Sequence, residues 1–565
     1  MVSPAFPEPP PAIAPTPIVD VDAAVAKVAA KKDAWLDVDI TRRIGYLRAC
    51  MAGVGEVADA WVRDGCRRKG IAAGDVLAGE EWLAGPMTTM RNLRLLVTAL
   101  EAGGRPSLPK VSKRPDGQEV VQVFPADVKD RLMFTGLTAE VWIEKGKTAT
   151  QGRIYRQKGG AGKVALVLGA GNVSSIPPMD LLYKLFVENE VVILKMNPVN
   201  ADAGPHIETA FRSLIDDGFL AVVYGGAEVG GHLANHPQVD TLHVTGSDRT
   251  YDAIVWGNDP VEQKRRKEAK EPLNTRPFSA ELGCVTPVLV VPGKWTQDEL
   301  AYHARQVAGM VAQNASFNCN AAKVLVTAEG WPQREKFLSM VEEALRNTPS
   351  RKSYYPGAQD RYDGFLKQYP KAKALGERTK EIVPWTIIPN VSTDPAEYAL
   401  TNEAFCGVLA EVAIPANSAD GFLRAATTFA NEVCWGTLSC SLLIDPRTEA
   451  LHKDELEASL AALRYGGIGV NVWPGLIYGL VVTTWGAFPG HPQEDIQSGS
   501  GVVHNSYLLD HPEKSIVRAP FTMKPTPAWF ADNKNLEQLG SRLTAFEQDA
   551  GWMGLARVAF AAFKG

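Results

Sequence analysis

The sequence predicts an α/β protein with two Rossmann-like domains, because two series of apolar strands alternate with helices. In the first series, from Lys163 onward, each short apolar run is followed by a segment with helical periodicity. Runs that are apolar at every position are typical of strands covered on both faces, and this alternation is typical of parallel sheets. A second series begins near Val288. We therefore place a domain boundary between Leu282 and Val288.

The order of these elements indicates where a ligand would bind. Predicted strands lie at 164–168, 191–194, 220–224, 241–244, 288–291 and 324–326. Predicted helices lie at 178–188, 207–216, 228–235 and 297–311. In sheets of this kind, ligands bind beside the carboxyl ends of the strands. The residues that follow the strands are therefore the first candidates for a site.

Both ends of the chain and one internal segment lie outside this pattern. Residues 1–18 are rich in Pro and Ala and lack the pattern of a signal peptide, which predicts a disordered arm. Residues 139–144 and 152–157 alternate in polarity around a turn at Gly146, which predicts a β-hairpin. Near the end, 535–563 has helical periodicity and resembles an addition to the domain.

The composition favours a soluble globular protein. The 565 residues suggest two or three domains, and a net charge of −5 argues against a nucleic-acid partner. Seven scattered cysteines without metal-ligand spacing indicate a reducing compartment, taken to be the cytoplasm, and no metal site. The apolar stretch 470–490 is interrupted by Asn471 and Pro474, so we expect no membrane span.

Three loops at successive strand ends suggest a nucleotide cofactor. Lys195 ends a strand, where its ammonium could bind ribose hydroxyls or a 2′-phosphate. The loop from Gly225 to Gly230 opens a helix, where missing side chains allow the backbone to approach a ligand. Gly246 and Ser247 could place a helix N-terminus on a pyrophosphate. Each loop alone is ordinary turn chemistry, but the three together favour a binding site.

Four further segments carry chemistry, and Cys319 is the most informative residue among them. It lies between a predicted helix and a predicted strand, 38 residues after Glu281. The segments are Gly171-Asn172-Val-Ser-Ser-Ile-Pro177, Glu281-Leu-Gly-Cys284, Gln313 through Cys319 and Glu403-Ala-Phe405-Cys406-Gly. In these motifs and in their order, about 21–510 of the chain resembles the aldehyde dehydrogenase superfamily.

The resemblance implies a mechanism for these residue types. Cys319 would attack an aldehyde as a thiolate, and the amide of Asn172 would stabilise the alkoxide. Glu281 would activate the water that hydrolyses the resulting thioester. The implied cofactor is NAD or NADP, bound by Lys195, Gly225, Gly230, Gly246, Ser247, Glu403 and Phe405. Where many NAD-preferring members carry an acid after the lysine, this chain has Pro198, so both cofactors stay open.

Two alternatives remain beside aldehyde oxidation. A CoA-dependent relative would exchange the acyl group with CoA, although Glu281 argues against it because thiolysis needs no hydrolytic base. A binding protein of the same fold would lack catalysis altogether. Cys284 and Cys406 replace glycines of the family motifs, which predicts extra thiols near the pocket and a possible disulfide with Cys319.

The resemblance also implies a domain organisation. We expect a disordered arm (1–18), a cofactor-binding domain (19–135 and 158–286), an oligomerisation hairpin (136–157), a catalytic domain (287–473) and a C-terminal return with a helical tail (474–565). Residues 515–518 would be an edge strand that joins partners. The expected assembly is a homodimer or homotetramer, and the expected substrate is a small aldehyde.

Overall fold

The computed structural model describes residues 6–157 and 159–565, which contain 19 strands and 23 α-helices. The strands are β1 (Lys110–Lys113), β2 (Glu119–Phe124), β3 (Thr138–Ile143), β4 (Val164–Leu168), β5 (Val191–Met196), β6 (Leu220–Tyr224), β7 (Thr241–Thr245), β8 (Phe278–Glu281), β9 (Pro287–Val290), β10 (Val324–Ala328), β11 (Lys373–Ala374), β12 (Thr386–Val391), β13 (Val408–Ile414), β14 (Ser439–Leu443), β15 (Gly467–Val470), β16 (Trp485–Gly486), β17 (Gly499–Ser500), β18 (Val502–Val503) and β19 (Pro512–Arg518).

The α-helices connect and cover these strands. They are α1 (Ile18–Ala29), α2 (Lys32–Leu36), α3 (Ile40–Arg68), α4 (Ala78–Trp82), α5 (Thr88–Glu101), α6 (Val128–Met133), α7 (Arg153–Arg156), α8 (Ile176–Phe186), α9 (Gly204–Ala210), α10 (Arg212–Asp216), α11 (Ala227–Ala234), α12 (Asp248–Trp256), α13 (Pro260–Ala269), α14 (Gln297–Ala312), α15 (Arg334–Arg346), α16 (Ala358–Gln368), α17 (Tyr398–Thr401), α18 (Ala419–Glu432), α19 (Pro446–Leu451), α20 (Lys453–Ala462), α21 (Gly475–Leu480), α22 (Leu536–Gln548) and α23 (Trp552–Ala562). A π-helical turn separates α4 from α5, and no described helix is long and apolar enough to cross a membrane.

The first sheet has six strands in the order β17-β8-β7-β4-β5-β6. All neighbours are parallel except β17, which runs antiparallel to β8. Every residue of β4 and β5 is buried, as the apolar runs 164–168 and 191–194 predict. The parallel register brings the ends of β5, β6 and β7 to one edge, so the three predicted cofactor loops share that edge.

The second sheet has eleven strands in the order β1-β2-β3-β19-β15-β14-β9-β10-β13-β12-β11. Its centre, from β15 to β13, is parallel, and the pairs that flank it at β19 with β3 and at β12 with β11 are antiparallel. The consecutive strands β8 and β9 lie in different sheets, so the chain passes from one to the other at 282–286. The α/β fold class with Rossmann-like domains is thereby confirmed.

The predicted hairpin is wrong in its second half. Residues Arg153–Arg156 form the helical turn α7, and β3 pairs instead with β2 and β19. Alternating polarity over six residues did not distinguish a strand from a short helical turn. Residues 515–518 do lie in a strand, but β19 is an interior strand between β15 and β3, so the predicted edge position is also wrong.

The described part of the N-terminal arm makes hydrogen bonds to the first domain, although its composition predicts disorder. Residues 1–5 lie outside the described residues. From Phe6 to Pro17 the backbone is irregular, yet Thr16 exchanges two hydrogen bonds with Tyr224 on the edge strand β6. Arg67 also donates to the carbonyl of Glu8. The arm is therefore packed along the first domain by backbone contacts that its Pro-rich composition does not reveal.

The C-terminal tail packs on the N-terminal helices. A Cβ at Gly79 would lie 2.2 Å from the carbonyl carbon of Leu536, so α4 and α22 approach as closely as backbones allow. Glu547 on α22 is buried and accepts hydrogen bonds from Arg91 (2.6 Å) and Arg94 (2.8 Å) on α5. Together these two cations hold the pKa of Glu547 below its usual value despite burial.

Replacing Glu547 by Ala should destabilise the protein by about 3–5 kcal/mol, because the substitution leaves the buried Arg91 charge unpaired. The free energy of urea unfolding measures the loss. The control is Asp532→Ala, which removes the exposed ion pair with Arg305 and should cost less than about 1 kcal/mol. Equal losses in the two variants would contradict a stabilising role for the buried ion pair.

Candidate active site

The nucleophile loop, residues 313–319, leaves α14 in a strained conformation. Asn314, Ala315 and Ser316 have φ of 55°, 55° and 68°, in the left-handed region that non-glycine residues avoid. Each costs roughly 1–2 kcal/mol. Three such residues in succession persist only where surrounding contacts hold them, so the loop is shaped by its partners rather than by its own sequence.

Asn314 is the residue that holds the loop. Its Nδ2 donates to the carbonyls of Asn172 and Phe317, both at 3.1 Å, and its Oδ1 accepts from the hydroxyl of Tyr354 at 3.0 Å. Its backbone N–H donates to Glu80 on α4. Because the buried side chain is satisfied only in this arrangement, Asn314 ties the loop to both domains.

Cys319 and Glu281 meet between the two sheets, as the resemblance implied. The distance from Cys319 Sγ to Glu281 Oε1 is 3.3 Å, which is a thiol hydrogen bond. Glu281 is the last residue of β8, and Cys319 lies at the end of the nucleophile loop before β10. Burial raises the pKa of Cys319 well above its ordinary value, and the charge of Glu281 acts in the same direction.

Glu281 is poised to exchange a proton near neutrality. Burial raises its pKa to about 7, and the negative charge of Asp180 contributes to the rise. The indole of Trp485 and the thiol of Cys319 act in the opposite direction and favour the carboxylate. A carboxyl group with this pKa next to a thiol can serve as a general base at physiological pH.

Asn172 lies against the nucleophile loop. Its Nδ2 donates to the carbonyl of Phe317 at 2.9 Å, two residues before Cys319. Its own carbonyl accepts from Asn314 and Tyr354. One of its two amide hydrogens is therefore used to fix the loop.

Glu403 and Lys323 form a buried ion pair at the other side of the loop. Lys323 Nζ lies 3.1 Å from Glu403 Oε1 and donates to the carbonyls of Asn318 and Cys319, each at 3.1 Å. The sequence analysis missed Lys323. Its signal is a lone lysine between Ala322 and the apolar strand β10, because a lysine in such a stretch needs buried partners.

Phe405 lies beside Glu403 in a left-handed turn with φ of 41°. Arg361 holds this turn by donating to the carbonyl of Phe405 at 3.1 Å. The ring of Phe405 packs against Tyr355 at 5.1 Å and Phe317 at 5.7 Å between centroids. These aromatic rings form an apolar wall between the nucleophile loop and the segment that carries Glu403.

Lys195 is largely buried at the carboxyl end of β5. Its ammonium makes no hydrogen bond or ion pair with any side chain or carbonyl of residues 6–157 and 159–565, and burial lowers its pKa to about 8. A buried cation without a partner is costly. It fits a site whose ligand supplies hydroxyl or phosphate oxygens.

The predicted glycines surround the same edge. Gly225 has φ of 146°, and a Cβ there would lie 2.5 Å from Val229, so only glycine fits before α11. Gly230 lies within α11, where an added Cβ would be 4.0 Å from Lys195 Cε. Gly246 precedes Ser247, whose side chain caps α12 by accepting from the N–H of Thr250. These backbones leave room for a ligand above β5, β6 and β7.

A buried polar cluster below Glu281 was not predicted. Asp180 Oδ2 accepts from Thr245 at 2.8 Å and lies 3.3 Å from His243 Nε2. His243 Nδ1 is 2.9 Å from the hydroxyl of Ser279. In the parallel register of β7 and β8, Thr245 stands beside Glu281, so the cluster is one layer beneath the carboxylate. A histidine in an otherwise apolar strand was its sequence signal.

The seven cysteines are all free thiols. Cys284 and Cys406 are buried beside the site, as their positions in the motifs suggested, but neither is paired with Cys319. The disulfide raised as a possibility is therefore not formed. Among the seven, Cys319 alone is partly exposed.

The chain is similar to known aldehyde dehydrogenases in part of its sequence and in its fold. Residues 174–355 match the family model described as the aldehyde dehydrogenase family. A curated relative, aminoaldehyde dehydrogenase 2 of peroxisomes from Malus domestica, is 26% identical over 224 residues, which span 38% of this chain and 37% of the relative.

Solved structures share the fold at low sequence identity. The aldehyde dehydrogenase KauB from Pseudomonas aeruginosa superposes with a TM-score of 0.58 at 19% identity, over 90% of each chain. An aldehyde dehydrogenase from Mycobacterium tuberculosis gives 0.59 at 16%, over 91% of this chain and 92% of that one. The NADP-dependent glyceraldehyde-3-phosphate dehydrogenase from Bacillus halodurans gives 0.60 at 16%, over 89% and 92%. Residues 174–355 thus match the aldehyde dehydrogenase family, and the chain shares its fold with these solved structures.

Proposed function

We propose that the protein oxidises an aldehyde to a carboxylic acid, with NAD or NADP as the acceptor. The observation that carries the proposal is the 3.3 Å contact between Cys319 Sγ and Glu281 Oε1, at the meeting point of the two sheets. A thiol and a carboxyl group of pKa about 7 are the pair that covalent catalysis through a thioester requires.

The residues present fit a dinucleotide. Lys195 has no hydrogen-bond or ion-pair partner among the described residues, and Glu403 would offer a carboxylate to a ribose diol. Gly225 and Gly246 carry no side chain at the strand ends. Superposable structures were solved with NAD+ in the Mycobacterium tuberculosis protein and with NADP in the Bacillus halodurans protein. When bound, the nicotinamide would supply the hydride acceptor. Pro198 places no acid near Lys195, so a 2′-phosphate is tolerated.

Each chemical step has a group on this chain. Glu281 would take the proton of Cys319, and the thiolate sulfur would form a bond to the aldehyde carbon. The oxyanion would be held by the second amide hydrogen of Asn172 and by the N–H of Cys319. Removal of the hydride would leave that carbon as a thioester on Cys319. Glu281 would release its first proton to solvent and then take a proton from water, whose oxygen adds to that carbon and releases the acid and the thiolate.

Competing functions differ in what happens to the thioester. A CoA-dependent enzyme would transfer the acyl group to a thiol without using Glu281, and a binding protein would form no thioester. The placement of Glu281 against Cys319 favours hydrolysis. The assembly as a homodimer or homotetramer remains a prediction, and the identity of the aldehyde is open.

Separate assays with NAD(P)+ and free aldehydes, and with NAD(P)H and acyl-CoA, test the proposed function. We expect turnover with aldehydes and about 10³-fold or greater loss in Cys319→Ala. In Glu281→Gln the steady-state rate should fall by about 10²-fold or more, because deacylation lacks its base. A slower burst of reduced cofactor should remain, because Cys319 can still lose its proton to water. Turnover only with acyl-CoA, or full activity in Cys319→Ala, would refute the proposal.

Cys319 should be the first thiol to react with iodoacetamide, because the other six are buried. Peptide mass spectrometry after limited labelling identifies the modified residue. Cys434→Ala is the matched control, since it removes a buried thiol outside the site and should leave the labelling rate unchanged. Equal labelling of Cys319 and a buried cysteine would contradict the assignment.

The rate should fall as pH drops below about 7, because protonated Glu281 cannot accept a proton. Asp180→Asn removes a negative charge that raises the pKa of Glu281, so the acidic limb of the kcat/KM profile should move to lower pH. Asp532→Asn, an exposed change, should leave the limb in place. A limb that is unmoved or raised in Asp180→Asn would contradict this role of Asp180.

A further inference from the structure

Lys323 stands between the proposed ribose clamp and the nucleophile. Its side chain is 2% exposed. Four oxygens surround its Nζ: the carbonyls of Asn318 (3.1 Å), Cys319 (3.1 Å) and Ala321 (3.3 Å), and Glu403 Oε1 (3.1 Å). An ammonium has three hydrogens. Four acceptor oxygens therefore compete for three N–H hydrogens. A ligand that hydrogen-bonds to one of these oxygens would leave more of the ammonium's hydrogens for the other three.

Glu403 is held on two further sides. Its Oε1 accepts from the N–H of Cys284 at 3.3 Å, and a Cβ at Gly283 would lie 2.1 Å from its Oε2. Burial raises the pKa of Glu403, whereas Lys323 acts against this rise. A ribose diol that donates to this carboxylate would replace the ammonium as its partner.

The charges around Cys319 give such an exchange a chemical consequence. The carboxylates of Glu281 and Glu403 raise the pKa of the thiol, and the ammonium of Lys323 lowers it. The hydroxyl of Tyr478 also interacts with the Cys319 thiol, and the charge of Asp180 raises the pKa of Glu281, the neighbour of that thiol. If Glu403 turns to a ribose, the hydrogens of Lys323 go to the carbonyls of the nucleophile loop, and its positive charge moves towards the thiol.

We propose that Lys323 is a positioning residue that couples the ribose clamp at Glu403 to the nucleophile loop, so that filling the clamp makes Cys319 more reactive. This inference rests on the proposed function, because it assumes that Cys319 is the nucleophile and that Glu403 binds a ribose. It adds a link between the two parts of the site: the thiol becomes more reactive when the clamp is filled.

The test is the pH dependence of Cys319 alkylation by iodoacetamide, with and without ADP-ribose. ADP-ribose carries the terminal ribose but no nicotinamide, so it can fill the clamp without covering the thiol. AMP lacks that ribose and serves as the ligand control. In the unaltered protein, ADP-ribose should move the midpoint of alkylation to lower pH, and AMP should leave it unchanged.

In Lys323→Met the midpoint without ligand should rise by about one pH unit or more, because the nearby cation is lost. The response to ADP-ribose should disappear, and Lys323→Arg should restore part of it. Lys514→Met is the matched control. Lys514 is also buried and caps three carbonyls, those of Leu460, Ala461 and Leu463, on a different element. Its replacement should leave both the midpoint and the ADP-ribose response unchanged.

A second variant keeps the test decisive if Lys323→Met does not fold. Glu403→Gln should lower the midpoint without ligand, because a negative charge near the thiol is lost, and it should abolish the ADP-ribose response. A response that persists in Lys323→Met or Glu403→Gln, or no binding of ADP-ribose to the unaltered protein, would overturn the coupling. Failure of the proposed function is seen separately, as aldehyde turnover that survives Cys319→Ala.

Discussion

The passage of the chain from one sheet to the other at 282–286 is the constraint on which the site depends. Five residues link β8 to β9, so the end of the first sheet and the start of the second cannot separate. This link touches both halves of the site: the N–H of Cys284 donates to Glu403, and the hydroxyl of Thr286 donates to the carbonyl of Cys319 at 3.0 Å. Glu281 enters the site because it precedes this link.

Buried polar contacts then fix what the link brings together. The left-handed residues of the nucleophile loop are unfavourable by themselves, and Asn314 compensates by joining the loop to Asn172, Tyr354 and Glu80. Glu80 is in turn held by two hydrogen bonds from Arg351. Since a buried polar group that loses its partner costs about 1–3 kcal/mol, such a network favours one arrangement of the loop over others. The network therefore contributes mainly to the geometry of Cys319 and less to the free energy of unfolding.

The charges of the site follow from the same burial. Glu281, Cys319 and Glu403 lie in a region where desolvation raises the pKa of all three acids, and Lys323 is the cation among them. In a low-dielectric pocket, a change in the oxygen to which the ammonium donates has a large electrostatic effect on the neighbouring acids. Lys323 thereby links the charge of Glu403 to that of Cys319 through contacts that no single residue makes alone.

The sequence by itself determined the α/β class and four of the six strands of the first sheet. The apolar runs 164–168 and 220–224 became strands with those bounds, and every residue of 164–168 is buried because helices cover both faces of that strand. Cys319 and Glu281, which the motif resemblance placed in one site, lie in contact. Short, half-polar segments were less well determined, and α7 and the interior position of β19 were missed because long-range pairing overrides local alternation. Lys323 and the cluster of Asp180 with His243 became visible only in three dimensions. Their partners come from distant elements, and only tertiary contact decides whether a buried charge is satisfied.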